Sequence, residues 1–126
     1  MTIQDIFNFF AGPPILFLNH ELAVCYVAAT LLQEDSYGTE MIQRLETEYP
    51  GYRVSDTVLY DSLKFLIAEE AITSYLKKVS GRGRPRRMYQ IKPEAKEKLQ
   101  DLARFWHEYN RRSVCTDLDL ATQPMY

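Results

Sequence analysis

The chain has 126 residues, 46% of them hydrophobic and 25% charged, and its formal net charge at pH 7 is −2. These values are typical of one soluble globular domain, and the net charge taken alone argues against a nucleic-acid-binding protein. The two cysteines lack metal-ligand or redox-motif spacing, which argues against a disulfide scaffold. The two histidines leave little capacity for general base catalysis. We therefore expect no enzyme, no bound metal and no cofactor.

The first 18 residues form an apolar segment, called here the N-terminal arm. A short helix over residues 2–10 is expected to end at Gly12-Pro13-Pro14. The arm lacks the basic start and the small-residue cleavage site of a signal peptide, and Gly-Pro-Pro interrupts any continuous membrane span, so we expect no membrane partner. We expect residues 1–18 to pack against a protein partner, with Phe7 and Phe10 in a dimer interface.

Three helices are expected after the arm. Asn19 is placed to cap a helix over residues 21–33, which is apolar almost all round and therefore belongs at the centre of the domain. A second helix covers about residues 37–49 and is stopped by Pro-Gly. Ser55 is placed to cap a third helix over residues 55–70, whose leucines form a core stripe.

A β-hairpin is expected over residues 72–91, because two runs rich in Ile, Tyr and Leu flank a Gly-containing loop. Residues 77–112 hold twelve of the fifteen Lys and Arg against four acids, whereas residues 1–76 hold three basic residues against eleven acids. Such segregation is typical of a localised contact with a polyanion, although a merely solvated loop is the alternative. Four arginines stand at the hairpin tip, Gly81-Arg82-Gly83-Arg84-Pro85-Arg86-Arg87.

The last predicted helix begins at Pro93 and covers residues 93–112, and residues 113–126 are expected to be a flexible tail. The helix carries an apolar stripe at three- to four-residue spacing, with no later element to cover it. A two-fold partner using the same surface is the economical solution, so we expect a homodimer. The expected interface residues of this helix are Leu99, Leu102, Phe105, Trp106 and Tyr109.

The order helix, helix, turn, helix, hairpin is typical of a winged helix-turn-helix. We therefore expect a mainly α (α+β) fold with this domain at residues 19–92, a two-stranded β wing, the arm and a long C-terminal dimerisation helix. Residues 55–70 would enter the major groove of double-stranded DNA, and the wing would contact its backbone or minor groove. The expected DNA-contacting residues are Arg82, Arg84, Arg86 and Arg87 of the tip, Lys78 before it, Thr57, Tyr60 and Lys64 of the helix, and Arg53 in the turn before it.

Three blocks in this order resemble the PadR family of transcriptional regulators: Tyr37-Gly38-Thr39-Glu40-Met41-Ile42, Thr57-Val58-Leu59-Tyr60-Asp61-Ser62-Leu63 and Gly83-Arg84-Pro85-Arg86-Arg87-Met88-Tyr89-Gln90-Ile91. The resemblance covers about residues 20–110. It implies a homodimeric, sequence-specific repressor that occupies a promoter in the cytoplasm, in association with the nucleoid. The whole chain, arm included, resembles members of the family that modify the circadian clock, which implies a clock gene as target.

The expected recognition helix departs from the family pattern, because Lys64 is its only cation and stands beside Asp56 and Asp61. Affinity should therefore rest mainly on the wing. Two alternatives stay open. One is a ligand-responsive regulator with a dimer pocket around Trp106 that binds a planar small molecule as effector. The other is a protein-interaction adaptor that has kept the winged-helix fold and lost DNA recognition.

Overall fold

The computed structural model describes residues 1–11, 15–78 and 84–122, with side chains for 1–7, 15–78 and 84–111. The predicted winged helix-turn-helix, mainly helical with a two-stranded wing, is confirmed. Within the described residues, no helix is both long and apolar enough to cross a membrane. The elements in chain order are α1 (Ile3–Ala11), β1 (Leu16–Phe17), α2 (His20–Gln33), α3 (Gly38–Glu48), β2 (Tyr52–Arg53), α4 (Asp56–Ala68), β3 (Ile72–Lys77), β4 (Arg86–Ile91), a 3₁₀ turn (Pro93–Ala95) and α5 (Lys96–Thr122).

Both predicted helix caps are present. The Asn19 side chain accepts a hydrogen bond from the Leu22 amide at 2.8 Å, and the Ser55 hydroxyl accepts one from the Val58 amide at 3.2 Å. Each cap satisfies one of the amides that a helix start leaves without a carbonyl partner, an interaction worth about 1 kcal/mol. The starts of α2 and α4, which set the positions of the core helix and the recognition helix, are thus fixed locally by sequence.

Helix α2 lies at the centre of the domain, as its apolar surface predicted. It packs against both α4 and α5, and Ala23, Val27 and Ala28 are fully buried. Tyr26 is also buried, and its hydroxyl donates to the Met41 carbonyl of α3 at 2.8 Å. Burial raises the pKa of Tyr26 to about 12, so the phenol keeps its proton and remains a donor at neutral pH.

Part of the apolar stripe of α5 is covered by the chain itself, which corrects two predicted interface residues. Leu99 and Trp106 are each 1% exposed, and the indole packs edge-on against Tyr26 and Tyr49 at centroid distances of 5.3 and 5.2 Å. Within the described residues no later element follows α5 to cover the stripe, but α2, earlier in the chain, is apolar on enough faces to do so. With its ring enclosed, Trp106 offers no open wall to a planar ligand either.

The predicted end of the last helix also needs revision. Helix α5 continues to Thr122, ten residues past its predicted end, so residues 113–122 are helical rather than a tail. No Gly or Pro interrupts residues 96–122, and Pro124 is the next helix-breaking residue. Residues 123–126 lie outside the described part of the chain.

A second, very short sheet was not predicted. Strands β1 and β2 pair in parallel, with Leu16 opposite Tyr52 and Phe17 opposite Arg53. The Leu16 amide donates to the Gly51 carbonyl and the Leu18 amide to the Arg53 carbonyl, each at 2.9 Å. The end of the arm is thereby tied to the turn between α3 and α4.

Candidate nucleic-acid interface

The wing is a regular antiparallel hairpin whose register places basic residues towards its outer end. Ile72 pairs with Ile91 at the inner end and Lys77 with Arg86 at the outer end. Ile72, Met88 and Tyr89 are buried, which anchors the inner half of the hairpin to the domain. The side chains of Lys78, Arg84, Arg86 and Arg87 are exposed. Arg82, the remaining predicted tip residue, lies outside the described residues.

Helix α4 presents a polar outer face beside the wing. Thr57, Tyr60 and Lys64, spaced three and four residues apart, are exposed on this face, whereas Leu59 and Leu63 are buried on the other. The structure thus brings the three predicted recognition-helix residues to one accessible surface.

A groove of about 420 Å³ joins α4, the wing and the start of α3. Its lining comprises Tyr37, Gly38, Thr39, Tyr60, Arg86, Arg87 and Tyr89. The residue before α3, Tyr37, supplies no side-chain oxygen to cap the helix. Gly38 and Thr39 of the first turn of α3 line this groove, so the positive end of the helix dipole lies beside it, an arrangement suited to a phosphate oxygen.

Gly38 permits a close approach that a larger residue would prevent. A Cβ at this position would lie 2.2 Å from the Tyr60 hydroxyl oxygen and 2.6 Å from the ring carbon that bears it. Neither distance is compatible with van der Waals radii. The absence of a side chain at Gly38 thus lets the Tyr60 phenol lie directly against the start of α3, at the edge of the groove.

The two arginines of the groove are held by neighbouring side chains. The Arg86 guanidinium lies 4.4 Å from the centroid of the Tyr37 ring, a cation–π contact. Arg87 donates to the Ser74 hydroxyl at 3.0 Å. Both contacts restrict the arginine side chains in the free protein. Less side-chain conformational entropy is therefore lost when these arginines bind a ligand.

Arg53 is engaged elsewhere. Its guanidinium donates to the carbonyls of Pro50 and Tyr52 at 2.9 and 2.8 Å, and its Nε lies 3.4 Å from a Glu46 carboxylate oxygen. These contacts close the turn between α3 and α4. These contacts give Arg53 a role in the turn, and its expected DNA contact stays a prediction.

Asp61, one of the two acids beside Lys64 on the expected recognition helix, is paired. Its carboxylate lies 3.3 Å from His20 Nε2 at the start of α2. The pair is exposed and contributes little stability, but it holds the carboxylate towards α2. Lys64 and Thr57 remain free of this contact on the outer face of α4.

Sequence reasoning did not select Tyr37 and Gly38 as site residues, although both belong to the first family-like block. The signal available was a Gly at the start of a helix, where a small residue often marks a close approach. No local pattern signals that Gly38 lies against Tyr60, because Tyr60 stands 22 positions later. Among the described residues, no cluster of His, Cys, Asp or Glu is arranged to hold a metal ion.

Comparisons with known proteins show the family to which the chain belongs. Residues 27–101 match the transcriptional regulator PadR-like family. The circadian clock associated protein Pex from Anabaena is 55% identical, with a TM-score of 0.81, over 90% of this chain and 99% of that one. Pex from Synechococcus sp. is 58% identical, with a TM-score of 0.77, over 86% of this chain and 97% of that one.

A more distant structure shares the fold. Bacillus subtilis PadR in complex with operator DNA is 20% identical, with a TM-score of 0.54, over 62% of this chain and 43% of that one. No curated protein sequence matches the chain. The family match covers more than half of the chain, and two relatives exceed 50% identity over nearly their whole length. The chain therefore belongs to the transcriptional regulator PadR-like family and is a regulator of transcription, not an enzyme.

Proposed function

We propose that this protein is a homodimeric repressor that binds double-stranded DNA at a promoter and blocks transcription by occupying it. The observation that carries the proposal is the groove in which the start of α3, the Tyr60 hydroxyl and Arg86 converge. Amides, a phenol and a guanidinium are all donors to phosphate oxygen, and together they fit one DNA backbone position.

The remaining exposed residues fall into two groups with different proposed contacts to DNA. Arg84, Arg87 and Lys78 extend the basic surface along the wing, where they would follow the backbone or enter a narrow minor groove. Thr57 and Lys64 stand where the recognition helix of this fold meets base edges. Because α4 carries few hydrogen-bond donors, the affinity for DNA comes chiefly from the wing and the groove. Helix α4 contributes the sequence specificity.

The two Pex relatives support a role in circadian clock gene expression. Each is more than half identical to this chain, and the Anabaena protein is described as circadian clock associated. The operator-bound Bacillus subtilis PadR supports DNA as the partner of this fold. We place the protein at the nucleoid in the cytoplasm, where a promoter-bound repressor acts.

A dimer would cover the apolar surface that remains. Phe105 is 52% exposed and Phe65 is 53% exposed, and Leu102 and Tyr109 are half-buried. Phe65 and Leu102 also line an apolar groove of about 350 Å³ with Val24 and Cys25. An exposed apolar surface of this kind is typical of an interface, and a two-fold partner would space two wings along the DNA.

The arm offers a second apolar surface to the same partner. On α1, Ile3 is 73% exposed and Phe7 is 64% exposed. The side chain of Phe10, the other predicted arm contact, lies outside the described residues. We therefore keep Leu102, Phe105, Tyr109 and Phe7 as proposed interface residues.

The dimer makes a measurable prediction. Phe105→Glu should shift the mass measured by light scattering at micromolar concentration from dimer to monomer, because it places a charge on the proposed apolar interface. Gln100→Glu, which adds the same charge at another exposed position of α5, should leave the dimer intact. A wild-type protein that is monomeric at this concentration would refute the dimer.

DNA binding is tested directly by fluorescence anisotropy with labelled duplexes, promoter-derived and random, across a salt series. We expect log K to fall linearly with log salt, by about 0.9 for each phosphate contacted, and the promoter fragment to bind more tightly. Absence of binding to both duplexes at low salt would contradict the proposal and favour the protein-interaction adaptor.

The close approach at Gly38 gives a sharper prediction. Gly38→Ala should weaken duplex binding by about tenfold, since its methyl group would displace the Tyr60 hydroxyl from the α3 start, a loss of about 1.4 kcal/mol. The fold should survive, because the tip of a tyrosine side chain moves easily. Gly51→Ala is the matched control: a Cβ there meets nothing within 4 Å. If the two variants bind the duplex with equal affinity, the start of α3 is not part of the DNA interface.

A further inference from the structure

The outer half of the wing needs a support that the hairpin does not supply by itself. Tyr75 and Leu76 of β3 and Arg86 and Arg87 of β4 are exposed, so this half buries little apolar surface. A two-stranded hairpin is marginally stable in water unless it packs on another element. For the arginines to meet DNA together with α3 and α4, something must fix the wing relative to those helices.

The loop between α2 and α3 provides three consecutive contacts to the wing. The Tyr75 hydroxyl of β3 donates to an Asp35 carboxylate oxygen at 2.7 Å. Ser36 forms a backbone bridge with Tyr89 of β4, in which the Tyr89 amide donates to the Ser36 carbonyl at 2.8 Å and the Ser36 amide donates back at 3.3 Å. Tyr37 then stacks against Arg86 of β4.

These contacts differ in which strand they hold. The bridge at Ser36 adds the loop to the edge of β4, and Ser36 is fully buried. The Asp35 hydrogen bond instead reaches β3, the strand on the far side of β4. It therefore ties the outer strand to the loop directly, independently of the hydrogen-bond ladder between β3 and β4.

The placement of a carboxylate here is otherwise unfavourable for the proposed function. Asp35 contributes a negative charge next to the basic wing, where it opposes the approach of phosphate. The hydrogen bond to Asp35 raises the pKa of the Tyr75 phenol, so Tyr75 stays protonated and remains a donor at neutral pH. The phenol can therefore donate to Asp35 under the conditions in which the wing would bind DNA.

We propose that Asp35 is a positioning residue for DNA binding, which acts through Tyr75 to hold the wing at the angle that brings Arg86 to the α3 start. This inference rests on the proposed DNA binding. We call the hydrogen bond between Asp35 and Tyr75 the brace. A wing fixed before binding loses less conformational entropy on binding, so the brace raises the affinity for DNA although the negative charge of Asp35 lowers it.

Two variants separate positioning from charge. Tyr75→Phe removes the donor without changing the net charge, and Asp35→Ala removes the acceptor together with a negative charge. If Asp35 acts only through its charge, Asp35→Ala should tighten duplex binding and Tyr75→Phe should have no effect. If Asp35 positions the wing, both variants should bind about fivefold more weakly, and the double variant no more weakly than either one.

Two controls accompany them. Asp35→Asn keeps an oxygen that accepts from Tyr75 and should restore binding to within about twofold of the wild type. Glu69→Ala removes an exposed charge at the end of α4, away from the brace, and should not weaken binding. Wild-type affinity in both Tyr75→Phe and Asp35→Ala would overturn the inference while leaving the proposed function in place.

Hydrogen exchange of the free protein tests the brace without DNA. The amides of residues 74–77 and 86–89 should exchange faster in Tyr75→Phe and in Asp35→Ala than in the wild type, with α2 and α5 unchanged. Unchanged exchange in the wing would overturn the inference as well. If the wild type binds no duplex, the proposed function fails, and the exchange experiment then decides the brace alone.

Discussion

Replacing Arg84, Arg86 and Arg87 together by alanine is expected to weaken duplex binding by about 100-fold at low salt. Each exposed guanidinium contact contributes about 1 kcal/mol, and each 1.4 kcal/mol corresponds to a factor of ten in affinity. The variant should also show a flatter salt dependence, with a log–log slope smaller by about 2.7, because three phosphates would no longer be neutralised. Anisotropy across a salt series measures both quantities in one experiment.

The control removes the same charge from another surface. Lys96, Lys98 and Arg104 are exposed on α5, and their triple alanine variant has the same net charge as the wing variant. We expect it to bind with nearly wild-type affinity and slope. If the two triple variants lose affinity equally, the basic wing is not the anchor, and binding would depend only on the overall charge of the protein.

The parts of the fold that the sequence predicted are those determined locally. The caps at Asn19 and Ser55, the starts of the helices and the alternating strands of the wing depend on residues within a few positions of one another. The fully apolar surface of α2 also predicted its central position correctly. In each case the signal and the structure it specifies lie in the same short segment.

The errors arose where a surface is covered by a segment far away in the chain. Trp106 reads as unpartnered on α5 because its partners, Tyr26 and Tyr49, stand 80 and 57 positions earlier. An apolar stripe indicates burial, but the pattern alone does not say whether the partner is the same chain or a second copy. The pairing of β1 with β2 escaped prediction for a related reason, since two-residue strands carry no measurable periodicity.

The candidate site shows the same division. The exposed arginines and the outer face of α4 follow from the hairpin and from helical spacing, so they were predictable. The contacts of Gly38 with Tyr60 and of Asp35 with Tyr75 join residues 22 and 40 positions apart, and no local pattern signals them. The sequence thus predicts which groups are exposed on the proposed DNA-binding surface, whereas the tertiary structure determines how they are held together.

The burial of Trp106 leads to the largest expected effect on stability. Trp106→Ala should lower the free energy of unfolding by about 3–5 kcal/mol, because it removes a fully buried indole and leaves a cavity between α2 and α5. Small domains have a total stability of about 5–15 kcal/mol, so this variant should be close to unfolding. Trp106→Phe, which retains a ring against Tyr26 and Tyr49, should cost less. Denaturant titration followed by circular dichroism measures both.

Protein concentration distinguishes this core role from an interface role. A residue within one chain contributes the same stability at every concentration, whereas a residue at a dimer interface contributes through an equilibrium that dilution shifts. Phe105, the next residue and 52% exposed, is the internal comparison. The loss of unfolding free energy in Trp106→Phe should not change across a hundredfold dilution. Phe105→Ala should leave the monomer stable and abolish the dependence of the unfolding midpoint on protein concentration. If the loss of unfolding free energy in Trp106→Phe varies with dilution, Trp106 contributes to the dimer interface and not only to the core of one chain.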